Sequence, residues 1–196
     1  MIEDILKRMT EWERLGTKES QDGSKIIGHI PRDYPEAYLH GFFAPKNDEE
    51  WRSYGMKLPE DLTLFYRKCN GLRIFLDSIS IYGIRSNYNR DSSAQFQPFD
   101  LKSHNKEHRN VWHPFPEEVE DLRVFFGSYT WDGSGIYMRT NAPEVYRVLR
   151  GDSNPVNSWS NIRSFLIKEY ERLDALYDLN GYRIDKNRPT IPEIEA

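Results

Sequence analysis

"MKLPEDLTLFYRKCNG", residues 56–71, contains the single cysteine of the chain, and its reading decides between a catalytic surface and a fold-building helix. Leu58, Leu62, Phe65, Tyr66 and Cys69 recur at i, i+4, i+7, i+8 and i+11, the stripe that a helix turns toward a core. Pro59 suits a first helical turn. Glu60 and Asp61 favour the positive end of the helix dipole, and Arg67 and Lys68 the negative end. Asn70-Gly71 can take the left-handed conformation that stops a helix. A reactive thiolate needs a helix N-terminus or a histidine partner, whereas Cys69 stands near the opposite helix end. The spacing predicts a packing cysteine.

On the N-terminal side, Ile2, Ile5, Leu6, Met9 and Trp12 predict an amphipathic helix over 2–14, ended by Gly16. Residues 16–48, rich in Gly, Pro and polar side chains, read as a long irregular connection with one short strand near Ile26 and Ile27. Tyr34, Tyr38, Phe42 and Phe43 within it predict packing against the body of the protein. "DEEWRSYG" reads as a short helix. Beyond residue 71 come strand-like runs at 72–76, 78–84, 122–128, 134–140 and 144–150, the last two joined by a hairpin loop, "TNAPE". Residues 86–117 read as a polar loop or a short polar helix. A final helix is predicted over about 160–179, with Phe165, Leu166, Tyr170, Leu173 and Tyr177 inward, Ser160 as N-cap and Asn180-Gly181 as stop. The tail 180–196 reads as extended or frayed. Helices, then a largely antiparallel sheet, then a packing helix make an α+β domain, and 196 residues suit one domain over 1–196.

Composition narrows the function. With 27 basic and 31 acidic residues the net charge is −4, which argues against a broad nucleic-acid surface. No segment approaches the roughly 20 apolar residues of a membrane helix, and the N-terminus has no signal-peptide pattern. The expectation is a cytoplasmic protein. One cysteine leaves no internal disulfide framework.

"HNKEH", residues 104–108, matches H-x-x-E-H, in which His104 and His108 would bind a metal and Glu107 act as base. Lys102, Lys106 and Arg109 surround it with positive charge and no third ligand is evident, so it reads as a solvated polar segment without metal. "DGSGI" lacks the first glycine of a nucleophile elbow, and no phosphate-cradling glycine motif occurs. No cofactor is expected. "EEVED" gathers Glu117, Glu118, Glu120 and Asp121, either a solvated loop protecting a sheet edge or an acidic patch for a basic partner. "YTWDGSG", 129–135, puts Trp131 and Asp132 in a loop, where the indole serves as a binding anchor or as a lid over the sheet.

The run "WRSYGMKLPEDLTLFYRKCNGL" (51–72), followed by a strand ending "IYGI" (81–84), resembles the start of the Smi1/Knr4 domain of the SUKH superfamily. "LRVFFGS", Gly135, "EVYRV" and the "SNIRSFLIKEY" helix follow in that family's order, over about residues 49–179. Members often carry an acidic residue after the late glycine, where this chain has Ile136, and the 16–48 segment is long for the family. The resemblance implies an α+β domain with a twisted, mostly antiparallel sheet and flanking helices. Its bacterial members look like immunity proteins that bind and neutralise toxins, often nucleases, while fungal relatives act as protein-interaction regulators. Neither role needs a catalytic site. A non-enzymatic toxin-binding protein is thus expected, touching its partner through Glu117, Glu118, Glu120, Asp121, Trp131 and Asp132, with no direct nucleic-acid or membrane contact. A regulatory scaffold module is the alternative, and a metal hydrolase using His104, His108 and Glu107 stands third.

Overall fold

A computed structural model of the chain describes residues 2–30, 37–76, 78–89, 92–113 and 123–194. Among these, nine strands form one antiparallel sheet in which sheet order equals chain order. They are β1 (Thr17–Glu19), β2 (Lys25–His29), β3 (Tyr38–Phe42), β4 (Leu72–Ile74), β5 (Ile79–Ile81), β6 (Arg123–Tyr129), β7 (Gly135–Arg139), β8 (Val145–Val148) and β9 (Pro155–Trp159). Five α-helices accompany them: α1 (Ile2–Thr10), α2 (Asp48–Tyr54), α3 (Glu60–Tyr66), α4 (Leu101–Glu107) and α5 (Ile162–Asp174). The fold is α+β, as the element order predicts. No helix among the described residues is long and apolar enough to cross a membrane.

Helix α3 is shorter than the stripe implies, with Pro59 as N-cap, but the stripe faces inward. Leu62, Phe65, Tyr66 and Cys69 are buried, and Leu58 is partly so. Asn70 does not stop the helix by a left-handed turn. Its side-chain amide donates to the Ile84 carbonyl (2.8 Å) and accepts from the Ile84 amide (2.8 Å), tying the end of α3 to the chain after β5. Gly71 does need φ of +107°, and a Cβ there would lie 2.6 Å from the Ile81 carbonyl.

The irregular connection expected over 16–48 is instead the first third of the sheet. β1 to β3 pair antiparallel, with Ile27 opposite both Thr17 and His40. Two features hide them. β2 is buried at three consecutive positions, so strand alternation is lost. β3 carries a fully buried His40, whose ring packs on Phe75 (4.5 Å) and Tyr170 (5.5 Å), so a polar letter occupies a core position. Phe43 is buried and Tyr38 and Phe42 are half-buried, whereas Tyr34 lies outside the described residues.

On α5, Phe165, Leu166, Tyr170 and Leu173 face inward, as does Tyr177 just beyond it. Its N-cap is Asn161 rather than Ser160, because the Asn161 carboxamide accepts from the Ser164 amide at 2.8 Å. β9 has no counterpart among the predicted runs. The tail is pinned rather than frayed. Arg172 Nη2 donates to the Thr190 carbonyl (2.8 Å), Arg147 Nη1 to that of Pro192 (3.1 Å) and Asn157 Nδ2 to that of Glu193 (2.7 Å).

Candidate interaction surface

The turn between β6 and β7 is built from its own sequence. The Gly133 amide returns to the Tyr129 carbonyl (3.1 Å), and the Thr130 amide bonds the Ser78 carbonyl (3.2 Å). Gly133 supplies the left-handed backbone at φ of +70°. Asp132 closes the turn by accepting from the Ser134 amide (3.0 Å) and hydroxyl (2.7 Å). At the tip, Trp131 is 47% exposed, so it does not form a lid over the sheet.

Beneath the turn lies Arg147 of β8, a guanidinium with no exposed surface. It donates to Asp132 Oδ2 (2.6 Å), Ser134 Oγ (2.9 Å), Asn157 Oδ1 (2.9 Å) and the Pro192 carbonyl (3.1 Å). It also lies over the Tyr129 ring at 5.3 Å. A buried cation survives only when paired and hydrogen-bonded, and removing its partner costs about 3–5 kcal/mol. Asp132 is therefore committed inward and holds the turn, while Trp131 faces outward.

Sequence reasoning missed three residues around this turn. Arg150 lies over the Trp112 ring at 5.0 Å, and its Cδ would stand 3.8 Å from a Cβ at Gly133. Trp112 is joined to the same corner by its carbonyl, which accepts from the Gly151 amide at 2.7 Å. Val111 beside it is strongly exposed. Trp131, Arg150 and Trp112 thus bring two indoles and a guanidinium to one corner, residue types enriched in binding hot spots. An apolar pair inside the polar 86–117 segment was the available signal. Glu117, Glu118, Glu120 and Asp121 lie outside the described residues.

The histidine motif has a different fate from the one its letters suggest. His104 stacks on Tyr82 at 4.7 Å. His108 is wholly buried, bonded through Nε2 to the Tyr82 hydroxyl (2.9 Å) and through Nδ1 to His113 Nε2 (3.1 Å). Its ring lies flat against Phe125 at 4.8 Å and 3°. Burial holds its imidazole down to about 3, so it stays neutral. Both nitrogens serve the core, and Glu107 stands beside His104 (3.6 Å). The segment is solvated on one face only: Lys102, Ser103, Lys106 and Glu107 are exposed, while Leu101 and Asn105 are buried, the latter accepting from the Phe125 amide at 2.8 Å. Among the described residues, no group of three or more His, Cys, Asp or Glu is placed to hold a metal ion.

Burial also pushes the Cys69 thiol well above its ordinary range. Between α2 and α3 lies a cleft of about 480 Å³, lined by Trp51, Met56, Leu58 and Tyr66 with Arg52 and Arg67 among its polar residues. Its apolar walls suit a partner side chain better than a reaction.

A family model described as the SMI1 / KNR4 family (SUKH-1) matches residues 49–168. No curated protein and no solved structure matches the chain.

Proposed function

Because this chain belongs to the SMI1/KNR4 family (SUKH-1), we propose that it is a non-enzymatic, cytoplasmic immunity protein that binds a bacterial toxin domain and neutralises it by covering its working surface. The observation that carries this reading is Trp131, 47% exposed on a turn clamped from below by the Arg147 network. A large ring offered on a rigid turn binds with little ordering cost. The sealed Cys69 and the fully engaged His108 support a role without catalysis. A net charge of −4 suits a basic partner such as a nuclease, where electrostatics speeds encounter more than it adds affinity. Glu117, Glu118, Glu120 and Asp121 are the proposed acidic contacts in that encounter.

The test is a binding screen against bacterial toxin domains, beginning with any encoded by a gene adjacent to this chain's, followed by titration of the captured domain with variants. Trp131→Ala should weaken binding about 10- to 100-fold, a loss in the hot-spot range. Reversing the four acidic residues to lysine should slow association and flatten its salt dependence. Unchanged affinity in Trp131→Ala would remove this surface from the interface. Capture of a signalling protein with no toxin binding would favour the regulatory scaffold.

A further inference from the structure

The tail that the sequence presents as loose is attached to the turn that presents Trp131. Three side chains from three elements read its backbone: Arg172 takes the Thr190 carbonyl, Arg147 that of Pro192, and Asn157 that of Glu193. Each reader also has a partner outside the tail. Arg172 is paired at 2.6 Å with Glu169, itself buried. Arg147 is buried against Tyr129. Asn157 is buried on β9, its Oδ1 taken by Arg147. Thr190 is likewise buried and Ile191 and Pro192 are half-buried, so the segment is anchored at its start and emerges to solvent at Glu193.

We infer that residues 190–193 form a strap that positions the Trp131 turn, acting through Asn157 and Arg147 on Asp132. This rests on the reading of Trp131 as the binding anchor and supplies the means by which the anchor is held. The chain of contacts is short. The Glu193 carbonyl fixes the Asn157 amide; Asn157 Oδ1 and the Pro192 carbonyl occupy Nη1 of Arg147; and Nη2 and Nε of the same guanidinium hold Asp132 and Ser134. Without the strap, Nη1 loses one acceptor and Asn157 loses the acceptor of its amide. Water then enters to solvate the guanidinium and competes for Asp132. The turn loosens, and Trp131 must be ordered each time a partner binds. Asn157 and the tail are thus positioning residues that need not touch the partner.

Two variants and two readouts test this. One variant ends the chain at Asn187; the other is Asn157→Ala in the full chain, which keeps the tail's length and removes the link to Arg147 that runs through Asn157, leaving the direct bond from the Pro192 carbonyl. The first readout, hydrogen exchange at the amides of Thr130, Gly133 and Ser134 in the free protein, needs no partner. Exchange there should accelerate about tenfold or more in both variants while the central amides of β6 and β7 keep their protection. The second readout is affinity for the captured toxin domain, expected to fall about tenfold, with Trp131→Ala costing less in the variant background than in the parent. Unchanged exchange in Asn157→Ala overturns the strap, whether or not the shortened chain folds. Faster exchange with unchanged affinity leaves the strap standing and removes Trp131 from the interface.

Discussion

Cys69 gives its thiol hydrogen to the Gly71 carbonyl at 2.9 Å, in a junction between α3 and β4 that solvent does not reach. A thiol so placed is a small hydrophobe with one satisfied donor. Its burial raises the cost of the thiolate, the form that reacts. Iodoacetamide should therefore leave the folded protein unlabelled and modify Cys69 only as fast as the chain opens. Cys69→Ala should lower stability by about 1–3 kcal/mol through the small cavity it leaves. Rapid labelling of the native state with loss of partner binding would restore a functional thiol. The inward direction of this residue was legible in the stripe, since one helix face is fixed by spacing alone. Asp132 was not legible in the same way. Its neighbours in sequence place it in an exposed loop, but the partner that turns it inward is Arg147, fifteen residues on and across a hairpin. A charge on β8 beside Val145 and Val148 was the only hint, because a buried cation requires a carboxylate that spacing cannot locate.

The α4 segment and the turn after it show how a polar element can be core. Leu101 is its one buried aliphatic position; Asn105, His108 and His113 are buried through bonds to β6, Tyr82 and one another. Hydrophobic periodicity cannot register such an element, because each polar group is buried only on condition that a distant partner satisfies it. The same condition hid β3, where His40 sits among Phe75, Tyr170 and Trp12. Buried neutral imidazoles also set a pH dependence. His40 and His108 each have their protonation pushed from the ordinary 6.5 down to about 3 by loss of water. Between these values the unfolded chain binds protons on both rings and the folded chain does not, so stability falls as pH drops. The loss approaches about 1.4 kcal/mol per pH unit for each ring in that window. Denaturant midpoints should decline from pH 6.5 toward pH 4, and the two ring resonances should stay in their neutral positions at pH 5. Titration of both near 6.5, with a flat midpoint over the same range, would show that these rings are solvated.

Across the whole molecule, the sheet is a meander in which each strand is the template for the next. The family signature covers 49–168, and the sequence likewise placed its core from residue 49 onward. What precedes that point is nevertheless structural. β3 pairs with β4 through His40 opposite Ile74 and Phe42 opposite Leu72. Trp12, following α1, packs edge-on against Phe75 at 5.9 Å. α1 reaches α5 through Arg8 with Glu171 (2.7 Å) and Asp4 with Arg163 (3.1 Å), but both ion pairs are largely exposed and contribute little. The apolar contacts decide the outcome. Cutting at residue 49 would uncover parts of Leu72, Ile74, Phe75 and Tyr170, all buried in the full chain. Fully uncovering a large apolar side chain costs about 1.5–3 kcal/mol, so even partial exposure of four approaches the 5–15 kcal/mol by which a typical domain is stable. β4 would also become an open edge ready to pair with other chains. A fragment spanning 49–196 should therefore lack a cooperative thermal transition, bind a dye for exposed apolar surface and aggregate, and it should recover native order when the 1–48 segment is supplied in trans. A sharp transition in the fragment alone, with partner binding intact, would make residues 49–196 a self-sufficient domain and the first three strands an accessory.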